Sequence, residues 1–180
     1  MKRALKVIIV DDNEDDAILL VHALRQGGFD PTYQCIDNAA DLRQALIQAP
    51  WELLICDHVM PRFDSFAALK IVEEVGLDLP FIVVSGTVGE ELAVTVMKAG
   101  AHDYIMKDNL LRLVPAVERE LRDAQGRRLR RQAEQTLRLT QFTVDRSADA
   151  AFWIGHDARF FYVNEAACRS LGYTREELLT

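Results

Sequence analysis

Residues 51–64 read WELLICDHVMPRFD, and the first half of that stretch decides the fold. Leu53-Leu54-Ile55-Cys56 is an apolar run of strand length that stops at one carboxylate, Asp57, before Met60 and Pro61 turn the chain. A strand with no polar alternation has both faces covered, as in parallel sheets flanked by helices. Phe81–Val84 is a second such run, and Leu5–Val10, broken only by Lys6, is a third.

Between these runs the apolar period changes to that of a helix. Ala17, Leu20, Val21 and Leu24 share one helical face, stopped by Gly27-Gly28. A short strand, Thr32–Ile36, precedes a helical face of Leu42, Ala45, Leu46 and Ala49 that Pro50 ends. Phe66, Leu69, Val72 and Val75 make a third helix up to Gly76. Thr87-Val88-Gly89-Glu90 reads as a capping box for a fourth, which stops at Gly100. Asp103–Met106 is the fifth strand, and a long helical stretch starts near Asn109. Five strands alternating with five helices describe a doubly wound α/β sheet.

With 180 residues the chain holds one full domain and a smaller segment. Hydrophobic content of 49% and charged content of 27% suit a soluble globular protein, expected in the cytoplasm. No apolar run approaches the roughly 18–20 residues of a membrane span. Cys35, Cys56 and Cys168 are too few and too widely spaced for a disulfide framework or a zinc site. A net charge of −7 argues against a nucleic-acid partner. That charge is uneven: residues 112–138 balance at +4, which leaves −11 on the remainder.

In doubly wound sheets, sites form beyond the carboxyl ends of the strands. Strand one ends in Asp11-Asp12, strand three in Asp57, strand four in Ser85 and strand five in Lys107. Each residue alone has a bland explanation. The run DDNEDD at 11–16 suits a helix N-terminus, and Lys107 suits a surface. Together, three carboxylates, a hydroxyl and an ammonium converge on one rim. Carboxylates so grouped repel unless a cation intervenes. A hard divalent ion such as Mg²⁺, which takes oxygen ligands and keeps waters, suits them.

The elements VDD at 10–12, DHVMP at 57–61, SG at 85–86 and Lys107 resemble the receiver domain of two-component response regulators over about residues 4–122. The resemblance implies a flavodoxin-like sheet of order 2-1-3-4-5. It implies Asp57 as phosphoacceptor and a sensor histidine kinase or phosphotransfer protein as donor. It implies Mg²⁺ held by Asp12 and Asp57, with Asp11 helping through water and the Val59 carbonyl completing the set. Ser85 would hydrogen-bond the phosphoryl group, Lys107 would pair with it, and Tyr104 would be the switching aromatic. Where the family carries proline after the lysine, this chain has Asp108. A cis bond without proline costs about 3–4 kcal/mol, so a trans peptide is expected there.

The helical stretch continues past Gly126 as a linker over 123–146, with a thin seam of Leu129, Ala133, Thr136 and Thr140. That spacing suits weak pairing of two chains, or a solvated helix. Residues 147–180 resemble the start of a PAS sensor domain through FWI, FYVNEAA and LGYTREEL. Asn164 caps a helix that Gly172 ends, and Thr174–Glu177 is a capping box. His156 reads as a turn residue, and Phe152 and Trp153 as core. The resemblance covers about a third of such a domain, so the chain reads as a piece of a longer protein.

The leading expectation is therefore a phosphoacceptor signalling module. An aspartate-nucleophile phosphatase is disfavoured, because Asp11-Asp12-Asn13 lacks the Asp-x-Asp order. The alternatives are the regulatory part of a larger histidine kinase or cyclic-nucleotide synthase, or a phosphorylation-independent interaction domain.

Overall fold

A computed structural model describes residues 2–61, 63–86 and 90–180. Five strands, β1 (Arg3–Val10), β2 (Phe29–Ile36), β3 (Leu53–Asp57), β4 (Phe81–Ser85) and β5 (Asp103–Met106), form one parallel sheet in the order β2-β1-β3-β4-β5. The helices between them are α1 (Glu14–Gln26), α2 (Ala39–Gln48), α3 (Ser65–Val75) and α4 (Glu90–Lys98). A 3-10 turn, Lys107–Arg112, leads into the long helix α5 (Leu113–Asp145).

The apolar runs are buried on both faces, with alternate residues facing opposite layers. Ile8, Val10, Leu54, Cys56, Phe81 and Val83 pack with α2, α3 and Val96 of α4. Val7, Ile9, Leu53, Ile55, Ile82, Val84 and Ile105 pack with α1 and the first turns of α5. The buried face of α5 is formed by Leu113, Ala116, Val117, Glu120, Leu121 and Ala124.

Several strand boundaries differ from the sequence reading, β1 for one starting at Arg3. Strand β2 begins at Phe29, three residues before the expected Thr32, and runs through Pro31. It is an edge strand, where a proline need not donate on its open side. Asp57 and Ser85 are the last residues of β3 and β4, inside the ladder. The capping box expected at Thr87–Glu90 lies outside the described residues. All peptide bonds among the described residues are trans, Lys107–Asp108 included.

The chain divides into two compact units, residues 1–126 and 127–180. In the second, β6 (Phe152–Ile154) and β7 (Phe160–Val163) form an antiparallel pair, followed by α6 (Glu165–Leu171) and α7 (Arg175–Leu178). Asn164 caps α6, Gly172 ends it in a left-handed conformation, and Thr174 and Glu177 form the capping box of α7. His156 lies in the turn between β6 and β7. Phe152 and Trp153 depart from the expectation of a core: both are about half exposed. Their ring contacts are cross-strand, Phe152 edge-on to Phe160 at 5.4 Å and Trp153 against Tyr162 at 4.6 Å.

Candidate functional site

Register builds the site. Val10 pairs with Cys56, so Asp11 and Asp57 leave adjacent strands at the same level. Asp57 pairs with Val84, and Ser85 with Met106, which sets Ser85 and Lys107 one step further along the same rim. Four strand ends thus deliver their polar residues to one edge, and the apolar runs behind them hold those ends rigid.

The helix after β1 explains the acidic run. Asn13 is the N-cap of α1, accepting from the Asp15 amide, and Glu14, Asp15 and Asp16 make its acidic first turn. Capping is thus the work of Asn13, while Asp11 is turned into the site and buried at 3% exposure. The Asp11 Oδ1 accepts from the Asn13 amide at 2.9 Å. Carboxylate oxygens of Asp11, Asp12 and Asp57 lie within 4.8 Å of one another. Burial raises the Asp11 pKa. The Asn13 amide and Lys107 oppose that rise, and the nearby Asp57 charge adds to it.

Lys107 closes the rim. Its Nζ donates to Asp16 Oδ2 at 2.6 Å, Asp57 Oδ2 at 2.8 Å and Asp11 Oδ2 at 3.2 Å. Burial works to lower its pKa, but the bonds to Asp16 and Asp57 and the charges around them hold it above the ordinary lysine range. Asp16 is the site residue that the sequence reading missed. As the third residue after an N-cap it looks like a dipole-complementing acid, and nothing in the sequence marks its reach across to Lys107, just after β5.

The remaining expected residues have varied settings. Ser85 is buried at 1% exposure, at the end of β4. Tyr104 pairs with Val83 in the ladder and is half-buried against the core on the α2–α3 face. Val59 is exposed, and its amide approaches Asp57 Oδ1 at 3.5 Å. His58, which carried no expectation, bonds Ser65 Oγ at 2.7 Å through Nδ1 and sits edge-on to Phe66. It ties the segment after Asp57 to the start of α3, whose N-cap is Asp64.

A parallel sheet of order 2-1-3-4-5 with an acidic rim closed by one lysine places the first unit in the flavodoxin-like α/β class. The family model described as "Response regulator receiver domain" matches residues 7–118, more than half of the chain, and the chain belongs to that family. It is 32% identical over 118 residues to the transcriptional regulatory protein PrrA of Mycobacterium leprae, covering 65% of this chain and 50% of that one. It is 30% identical over 113 residues to the transcriptional regulatory protein ZraR of Escherichia coli K12, covering 59% and 24% respectively. The chain thus spans about a quarter to a half of the length of these relatives. Among solved structures, the FixJ-N crystal structure has a TM-score of 0.56 at 28% identity, covering 66% of this chain and 94% of that one. The Francisella response regulator 1452 receiver domain has a TM-score of 0.58 at 22% identity, covering 66% and 98%, a likeness of fold. No helix among the described residues is long and apolar enough to cross a membrane.

Proposed function

We propose that the first unit accepts a phosphoryl group on Asp57 from a phosphohistidine of a sensor kinase or phosphotransfer protein. An Asp57 carboxylate oxygen attacks phosphorus, the P–N bond breaks, and the imidazole leaves with the electron pair. A carboxylate is a weak nucleophile toward an anionic phosphoryl group, so the charge on the equatorial oxygens must be neutralised. The observation that carries the reading is the Lys107 ammonium 2.8 Å from Asp57 Oδ2, beside three clustered carboxylates.

The donor set around Asp57 is all hard oxygen, which suits Mg²⁺. Asp12 and Asp57 would hold the ion directly, Asp11 through water, and the Val59 carbonyl would complete the protein ligands. When bound, the ion supplies positive charge to the phosphoryl oxygens. Ser85 hydrogen-bonds the transferred group, and Lys107 pairs with it. Tyr104, on the neighbouring strand, follows that change as the switch, which shifts the packing of α4, β5 and α5.

The helix α5 carries the change onward as a linker, and residues 147–180 are the start of a PAS sensor domain. Support for the latter lies in the Asn164 cap, the Gly172 stop and the Thr174 capping box. Two chains pair weakly along Leu129, Ala133, Thr136 and Thr140, all of them exposed. Light scattering of the whole chain at high concentration tests the pairing, and a strict monomer would count against it. The parent protein would be a regulatory assembly with a kinase or cyclic-nucleotide synthase output.

The central test is incubation with acetyl phosphate, with and without Mg²⁺, read by intact mass. The expected result is one phosphoryl group, acid-labile, Mg²⁺-dependent and absent in Asp57→Asn. Phosphate found on Asp11 or on a serine would overturn the assignment.

A further inference from the structure

The nearest partner of Lys107 is Asp16, at 2.6 Å, ahead of Asp57 at 2.8 Å and Asp11 at 3.2 Å. An ammonium has three N–H donors. Asp11, Asp16 and Asp57 occupy all three. A phosphoryl oxygen arriving at Asp57 can therefore be served by Lys107 only if one of these bonds is released.

The three carboxylates differ in what the reaction does to them. Asp57 becomes the phosphorylated group itself. Asp11 faces the cluster with Asp12 and Asp57, where a cation would neutralise it. Asp16 stands apart on α1, outside that cluster, and neither event engages it. Its side chain is 28% exposed and that of Lys107 21%, so their attraction is only partly screened. Its carboxylate keeps its claim on the ammonium throughout, and its charge stands against an incoming phosphoryl dianion. Both effects act in the same direction.

We propose that Asp16 is a positioning residue that holds Lys107 toward α1 and thereby slows phosphoryl uptake at Asp57. This rests on the reading of Asp57 as phosphoacceptor. The rim is then not merely assembled for transfer. It is restrained, with the rate set by a residue that touches neither the phosphoryl group nor the metal ligands' cluster.

The test uses the full chain with saturating Mg²⁺ and acetyl phosphate. In that assay the donor P–O bond breaks, acetate leaves with the electron pair, and the Asp57 Oδ–P bond forms. Asp16→Asn keeps the shape and removes the charge, and uptake is expected to rise about fivefold. Asp16→Glu, which keeps the charge on a longer side chain, is expected to return the rate toward that of the parent. Asp15→Asn is the control: it removes the same charge from an exposed neighbour that caps nothing with its side chain. A second readout is the Lys107 ammonium resonance by heteronuclear NMR. Its protection from solvent exchange should fall in Asp16→Asn and persist in Asp15→Asn. An Asp16→Asn rate that falls, or rises no more than the Asp15→Asn rate, overturns the proposal. No incorporation in the parent chain sinks instead the phosphoacceptor reading, which keeps the two failures apart.

Discussion

Lys107 and Asp57 stand fifty positions apart in the chain, yet their charged atoms meet at 2.8 Å. The ladder makes the meeting obligatory: Asp57 pairs with Val84, and the next residue of that strand pairs with Met106, the neighbour of Lys107. Replacing the ammonium while keeping an apolar stem, as in Lys107→Met, should leave the sheet intact and remove the charge proposed to meet the phosphoryl oxygens. Uptake from acetyl phosphate is expected to fall about 10²-fold, the usual scale for losing one preorganised donor. Intact-mass time courses decide it. A rate equal to that of the parent would take the ammonium out of the chemistry.

The sheet was legible because β1, β3 and β4 carry nearly unbroken apolar runs, each followed at once by a polar residue. Asp11, Asp57, Ser85 and Lys107 could be placed at strand ends from spacing alone. Asp16 could not, since its partner is set by the distance across two packed elements and not by any local period. The start of β2 at Phe29, ahead of Pro31, could not be read from its own segment either. A proline is excluded from a strand interior only when its nitrogen must donate, and edge position is a property of the whole sheet. Phe152 and Trp153 look like core by composition. Whether an aromatic is covered depends on what stands opposite, which their own segment does not specify.

Gly126 is exposed, lies inside α5, and has open space where a Cβ would stand. Its φ is not positive, so alanine fits the backbone without strain. Gly126→Ala should therefore stabilise the helix there by about 0.5–1 kcal/mol, by restricting the unfolded chain and restoring propensity. Native-state amide exchange of residues on either side of the position reports it. Slower exchange is expected, and faster exchange would mean that the glycine meets a requirement of the fold.

Asn164 is fully buried and uses its whole amide. Its Oδ1 accepts from the amides of Ala151 and Ala167, and its Nδ2 donates to the carbonyls of Val144 and Asp149. One side chain thus fastens the end of α5, the entry to β6 and the first turn of α6. Asn164→Ala removes this partner from the Ala151 and Ala167 amides and the Asp149 carbonyl, while the Val144 carbonyl keeps the Ser147 amide, at a cost of about 1–3 kcal/mol for each group that water cannot reach. A two-stranded sheet has little stability to spare. Trypsin should then cut at Arg146 and Arg159 much faster than in the parent, while the five-stranded unit stays resistant. Equal cutting rates in parent and variant would show that the amide is not what holds this unit.

Asp145 gathers the second unit electrostatically. The Tyr162 hydroxyl donates to its Oδ1 at 2.8 Å from β7, and Arg175 donates to the same oxygen at 2.7 Å from α7. The Tyr162 bond first, and the Arg175 bond and charge after it, hold the Asp145 pKa below its usual 3.8. On the other side, burial and then the Asp145 carboxylate raise the Tyr162 pKa above 10.0. The signs follow from linkage. Asp145 contributes stability that is present above about 3.8 and is lost as pH falls through its lowered value. Tyr162 contributes stability that is full below 10.0 and is lost as pH rises through its raised value. The unit should thus hold a plateau between these limits and loosen outside them, modestly, since both Asp145 and Arg175 are more than a third exposed. Asp145→Asn should flatten the acid limb and bring the Tyr162 titration back toward 10, as NMR of the tyrosine ring would show. A Tyr162 titration unchanged by Asp145→Asn would mean that the two do not share a proton-sensitive bond in solution.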